Sequence, residues 1–104
     1  MEIQFNTDNH IVGSERQNAY FNTVISEALS RFSSHITRLE VHMTDENGHK
    51  ESKNDQRCVI EARLEGLKPI AVTNHADTME YAVKGAIDKL KASLDTTLGR
   101  LKKY

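Results

Sequence analysis

Residues 77–103 read DTMEYAVKGAIDKLKASLDTTLGRLKK, and this stretch decides the fold because it predicts one long helix. Asp77 is a suitable N-cap, and Glu80, three residues later, can complete a capping box. At about 1.5 Å per residue the helix would extend about 40 Å, so it can supply both core and exposed surface. Apolar side chains recur at steps of three and four residues, as on one stripe of a helix. This apolar stripe comprises Met79, Val83, Ala86, Ile87, Leu90, Leu94, Leu98 and Leu101.

The two polar flanks of this predicted helix differ in charge. At about 100° per residue, the mixed flank carries both signs: Asp77, Glu80, Lys84, Asp88, Lys91, Asp95 and Lys102. The acid-free flank carries Gly85, Lys89, Ala92, Ser93, Thr96, Arg100 and Lys103. Cations separated by small or hydroxyl residues could follow a phosphate backbone. A solvated helix face with cations suited to the helix dipole would have the same composition, so the pattern leaves both interpretations open.

Length and composition set the class of protein. A chain of 104 residues predicts a single domain, residues 1–104, with one hydrophobic core. Its hydrophobic content of 38% and charged content of 28% exclude a disordered chain. The net charge is −1, so binding to RNA would require a local basic patch.

The cellular compartment is predicted from features that the sequence lacks. No apolar run is long enough to span a membrane, and the first residues lack the basic and apolar regions of a signal peptide. The lone Cys58 can form no internal disulfide. We therefore expect a cytoplasmic protein without a membrane partner.

The remaining periodicities predict four strands and one more helix. Alternating apolar residues indicate strands at about 2–6, 36–44, 56–65 and 69–75. A capping box at Ser14 and Gln17 starts a first helix that ends at residues 33–35. The apolar positions of this helix are Tyr20 or Phe21, Val24, Ile25, Ala28, Leu29 and Phe32.

The element order β-α-β-β-β-α predicts an α+β fold. Three strands joined by short connections form an antiparallel meander, and one apolar face per strand requires cover on one side. Two amphipathic helices supply that cover, giving a two-layer sandwich of a four-stranded sheet with two helices on one face. The opposite face would carry Arg38, Glu40, Glu61 and Arg63, whose charges favour ion pairing across strands.

The residues that could carry chemistry do not form a recognisable site. The polar segment 45–55 has its glycine at Gly48 and Gln56 in the twelfth position, which does not fit a calcium loop. The histidines lack close ligand spacing, and Cys58 lies at an inward strand position, where a thiol is inert. No phosphate loop or nucleophile elbow occurs. We expect no catalytic residue, metal, cofactor or small-molecule substrate, and hence a binding protein rather than an enzyme.

Several segments, in order along the whole chain, carry a family resemblance. They are residues 3–6 (IQFN), 58–66 (CVIEARLEG), 69–72 (PIAV), Ala82, 87–90 (IDKL) and Leu94. The chain resembles the ribosome hibernation promoting factor and ribosome-associated inhibitor A family, also known as sigma-factor modulation proteins. Its length resembles the short forms of that family. The resemblance implies a fold similar to double-stranded-RNA-binding domains.

The resemblance also implies a function and a set of site residues. Such proteins bind rRNA of the small ribosomal subunit in the mRNA and tRNA channel and inhibit translation during stress or stationary phase. DNA is not expected as a partner. Basic residues on the two helices contact rRNA in the family, and here they correspond to Arg31, Lys89, Arg100 and Lys103. The resemblance favours the phosphate-binding interpretation of the acid-free flank.

An alternative follows from two departures from the family pattern. Glu80 stands where many members have a tyrosine, and Ala92 stands where some have a cation. A protein-interaction module with the same fold that has lost ribosome binding would use the sheet face or a sheet edge instead.

Overall fold

The computed structural model describes residues 1–8, 15–46 and 55–101, without the side chains of Arg100 and Leu101. Its four strands and two helices follow the predicted β-α-β-β-β-α order, which confirms the α+β fold. A 3-10 turn at Ser30–Phe32 follows the first helix. The elements are β1 (Glu2–Thr7), α1 (Glu15–Ala28), β2 (Ile36–Asp45), β3 (Gln56–Leu64), β4 (Ile70–Ala76) and α2 (Met79–Leu101).

The strands form one mixed sheet in the order β1-β2-β3-β4. Strands β2, β3 and β4 form the predicted antiparallel meander, with Val41 opposite Ile60 and Ile60 opposite Val72. Strand β1 pairs with β2 in parallel, so that Phe5 lies opposite Val41. Parallel neighbours need a crossover connection, and α1 lies within that connection. This topology leaves β1 and β4 as the two edge strands.

Both helices cover the same face of the sheet and form one core with it. The apolar stripe of α2 is buried from Val83 to Leu98, as predicted. On α1, Phe21 is buried and Tyr20 is exposed, which decides between the two predicted alternatives. The rings of Phe5 and Phe21 stack with centroids 5.5 Å apart, which joins α1 to β1. The fully buried residues of the described sheet are Leu39, Val41, Met43, Cys58, Ile60 and Ala62.

The helix ends differ from the prediction in two places. The N-cap of α2 is Thr78 rather than Asp77, because the Tyr81 N–H donates to Thr78 Oγ1 at 3.1 Å. Its carbonyl accepts the first helical bond from Ala82 N–H at 2.9 Å. Helix α1 ends at Ala28, and the chain tightens into the 3-10 turn that buries Phe32. The predicted Ser14 cap lies outside the described residues.

The outer face of the sheet carries a network of ion pairs. Arg63 lies 3.7 Å from Glu40 on the neighbouring strand and 3.4 Å from Glu61 on its own strand. Arg38 lies 3.3 Å from Glu40 and 3.7 Å from Glu2. Like charges stand directly opposite each other in the register, Arg38 against Arg63 and Glu40 against Glu61. The predicted cross-strand pairing is therefore confirmed in a diagonal form, and it neutralises both arginines.

Substitutions at Gly85 and Gly99 of α2 can be compared to test how closely the helix packs against β4. The Asn74 side chain donates to the carbonyl oxygens of Ala82 at 3.2 Å and Tyr81 at 3.4 Å. A Cβ at Gly85 would lie 2.6 Å from Asn74 Cγ and still closer to Nδ2. No described atom outside the local helix backbone would come within 4 Å of a Cβ at Gly99.

We expect Gly85→Ala to lower the free energy of unfolding by about 1–3 kcal/mol through overpacking. Gly99→Ala should raise it by about 0.5–1 kcal/mol, because alanine is the better helix former. Urea unfolding of both variants measures the difference. Equal stabilisation by the two changes would show that Asn74 does not restrain the helix.

Candidate functional site

The two flanks of α2 lie against different neighbours. The mixed flank faces α1 and its following turn: Tyr20 donates to Glu80 at 2.8 Å, and Arg31 pairs with Asp95 at 3.0 Å. The acid-free flank faces the edge strand β4, where the Lys89 ammonium donates to the Thr73 carbonyl oxygen at 2.8 Å. The division of charge predicted from helical geometry therefore corresponds to two distinct surfaces.

The surface along β4 combines cations and hydroxyls with an edge strand. Strand β4 contains no acidic residue and has no strand neighbour on its outer side, and its Thr73 carbonyl accepts from Lys89. Lys68, in the turn before β4, is exposed. In the described part of the chain, no carboxylate forms an ion pair with Lys68 or Lys89. A shallow groove of about 420 Å³ runs beside this edge, lined by Ile70, Ala92, Ser93, Thr96 and Thr97.

The predicted site residues do not form one cluster. Lys89 lies on the β4 side of α2, whereas Arg31 lies on the α1 side. Arg31 belongs to the 3-10 turn rather than to α1, and its guanidinium stacks over the Phe32 ring at 4.3 Å. The backbone of Arg100 continues α2, but its side chain lies outside the described residues, as does Lys103. Sequence reasoning missed Lys68 and the pairing of Arg31 with Asp95, which joins residues 64 positions apart.

Tyr20, Glu80 and Lys84 form an exposed polar contact between the helices. The Tyr20 hydroxyl donates to Glu80 Oε1, and Lys84 Nζ lies 3.3 Å from the same oxygen. The hydrogen bond from Tyr20, together with the Lys84 ammonium, lowers the pKa of the Glu80 carboxyl. The same hydrogen bond raises the pKa of the Tyr20 hydroxyl. The carboxylate of Glu80 is therefore engaged by Tyr20 of α1 and by Lys84 of its own helix.

The described residues do not assemble a chemical centre. Cys58 is fully buried, as predicted, and burial raises the pKa of its thiol to about 12. Such a thiol stays protonated at neutral pH and is a poor nucleophile. Within the described ranges, no three histidine, cysteine, aspartate or glutamate side chains come close enough to hold a metal ion. None of the described helices has the length and apolar character needed to cross a membrane.

The class of this protein follows from a family match that covers almost the whole chain. Residues 3–102 match the family described as Sigma 54 modulation protein / S30EA ribosomal protein. The chain belongs to this family of ribosome-associated factors, which confirms the resemblance stated from the sequence.

Two solved structures share this fold. The chain is similar to the N-terminal domain of Protein Y from Thermus thermophilus, with a TM-score of 0.73 and 15% identity over 93% of this chain and 99% of that chain. It is also similar to a ribosomal subunit interface protein from Coxiella burnetii, with a TM-score of 0.71 and 17% identity over 95% of this chain and 99% of that chain. No curated protein matches the sequence.

The contact between Tyr20 and Glu80 leads to a pH prediction. The lowered pKa of Glu80 contributes stability at pH values above its unfolded-state pKa, and this stability is lost as pH falls through the folded-state pKa. Tyr20→Phe removes the largest cause of the shift, so we expect the pKa of Glu80 to rise toward 4.5. Carbon-13 NMR titration of the Glu80 carboxyl measures this. Lys84→Gln should also raise the pKa of Glu80, because it removes the other two causes of the lowering. An unchanged Glu80 titration in Tyr20→Phe would contradict the assignment.

Proposed function

We propose that this protein inhibits translation by binding rRNA of the small ribosomal subunit, in the channel for mRNA and tRNA, during stress or stationary phase. Membership in a family of ribosome-associated factors supports this proposal. The observation that carries it is the acid-free surface where α2 meets β4. The protein would act in the cytoplasm by occupying its site, with no catalytic step and no cofactor.

The chemistry of Lys89 suits a phosphate contact. Its side chain is exposed, and only the Thr73 carbonyl accepts a hydrogen bond from it among the described groups. An ammonium has three donors, so two remain for phosphate oxygens. The bond to Thr73 also restrains a flexible side chain, which reduces the entropy lost when RNA binds. Ser93 and Thr96 lie on the same flank and can donate to further phosphate or sugar oxygens.

The two proposed contacts whose side chains the structure describes, Arg31 and Lys89, lie on opposite sides of α2. Arg100 follows Lys89 by three helical turns, about 16 Å along the same flank, and Lys103 would continue this row. RNA bound to all four would cross the exposed ridge of α2. Because each contact displaces counterions, four of them give a log–log salt slope of about −3 to −4.

The test is co-sedimentation with purified small ribosomal subunits across a salt series. We expect salt-sensitive binding by the unchanged protein. The double variant Lys89→Glu and Arg100→Glu should abolish co-sedimentation at low salt, because it replaces two phosphate contacts by repulsion. Neutral replacement of the same two residues by Gln should instead reduce the salt slope by about two.

A charge-matched control separates a local contact from net charge. Lys84→Glu and Lys91→Glu make the same change in charge on the mixed flank of the same helix, so binding should be reduced much less. Equal losses in both double variants would contradict the proposed surface. No binding of the unchanged protein at low salt would contradict the proposed function and favour the protein-interaction module.

A further inference from the structure

A cleft between the turn after α1 and the C-terminal half of α2 lies apart from the surface along β4. Its volume is about 300 Å³, and we call it the Arg31 cleft. Phe32 and Leu98 are only 4% and 7% exposed and give the cleft apolar walls. Charged and polar groups lie at its rim. The lining residues are Arg31, Phe32, His35, Asp95, Leu98 and Gly99.

The backbone holds the α1 side of the cleft in place. Phe32 N–H donates to the Leu29 carbonyl and His35 N–H donates to the Phe32 carbonyl, each at 2.9 Å. The His35 carbonyl in turn accepts from Glu65 N–H, at the end of β3, at 3.1 Å. Leu29 and Phe32, on either side of Arg31, are both buried. The cleft is therefore preformed, which lowers the entropic cost of filling it.

The Arg31 guanidinium already holds an anion in this cleft. Its Nη2 lies 3.0 Å from Asp95 Oδ2, and its plane lies over the Phe32 ring. A guanidinium has five donors, and the contact with Asp95 uses one nitrogen. The two side chains are 60% and 53% exposed, and ion pairs this exposed contribute little to stability. A phosphate, which pairs with arginine through two parallel hydrogen bonds, can compete for this position.

We propose that the Arg31 cleft binds a phosphate group of RNA and that Asp95 is its intramolecular competitor. Binding opens the Arg31–Asp95 pair, and the guanidinium then donates to the phosphate oxygens while it remains stacked on Phe32. His35, exposed at the rim, offers a second donor. This inference rests on the proposed function and adds to it a residue that limits affinity. Asp95 therefore weakens RNA binding in the native chain.

The first experiment compares Asp95→Asn with Asp88→Asn. Both replace a carboxylate of α2 by an amide of the same shape, and Asp88 is exposed away from the cleft. We expect Asp95→Asn to bind small ribosomal subunits roughly 2- to 5-fold more tightly, since it releases an exposed arginine. Asp88→Asn should give a smaller gain, due only to net charge.

The same substitutions made in a variant without Arg31 show whether the gain in affinity arises in the cleft. In an Arg31→Gln background, Asp95→Asn should give no more than the Asp88→Asn gain. A gain that persists without Arg31, or equal gains from the two aspartate variants, would overturn the proposal. Thermal unfolding of each variant verifies the fold, because loss of this exposed pair should change the midpoint only slightly.

A second experiment does not depend on the ribosome. Nitrogen-15 NMR of the Arg31 Nε–H and the Gly99 amide follows addition of inorganic phosphate or of a short single-stranded oligouridylate. We expect the RNA to shift both signals, and to do so at lower concentration in Asp95→Asn. Shifts with inorganic phosphate alone, or with neither probe, would overturn the proposal even if the protein binds ribosomes. Shifts with RNA but no ribosome binding would support the cleft and contradict the proposed function.

Discussion

Burial of the apolar stripe of α2 against the sheet is the interaction on which the rest of the structure depends. Val83, Leu90 and Leu94 are fully buried, and they meet a sheet face whose central strands contribute Val41 and Ile60. Burial of a large aliphatic side chain contributes about 1.5–3 kcal/mol, so this contact sets the position of the helix. Once the stripe faces the sheet, helical geometry determines where both polar flanks lie.

Because the apolar stripe faces the sheet, the two polar flanks of α2 lie on different surfaces of the protein. The mixed flank meets α1 and the turn that follows it, where its acids accept from Tyr20 and Arg31. The acid-free flank lies beside an edge strand without acids, where Lys89 donates to a backbone carbonyl. A protein with a net charge of −1 can thus present a local cationic surface. Nucleic-acid affinity depends in general on local phosphate contacts, so the net charge alone does not argue against the proposed function.

Much of the remaining positive charge is neutralised within the fold. Arg38 and Arg63 pair with Glu40 on the outer face of the sheet, and the Glu40 side chain is only 22% exposed. Arg31 differs, because its partner Asp95 is itself exposed. A cation is therefore more available to a ligand when the carboxylate that pairs with it is more exposed.

The sequence by itself determined the element order, the one-sided core and the family. Each depends on patterns within one element or on short motifs, such as the period of α2 and the alternation in β3. Local signals did not determine the helix ends. At the start of α2, both Asp77 and Thr78 are suitable caps, and Thr78 is the one that accepts from Tyr81 N–H. After α1, a 3-10 turn rather than a continued helix buries Phe32.

Only the tertiary structure decided which residues of other elements the flanks of α2 contact. Arg31 and Asp95 are 64 residues apart, and nothing in the local pattern of either helix reveals that they meet. The bonds from Lys89 to Thr73 and from Asn74 across Gly85 likewise arise because α2 packs beside β4. Helical period specifies which residues share a flank, but the packing of distant segments specifies what that flank contacts. The physical reason is that side-chain partners are selected by distance in space, which a one-dimensional pattern does not contain.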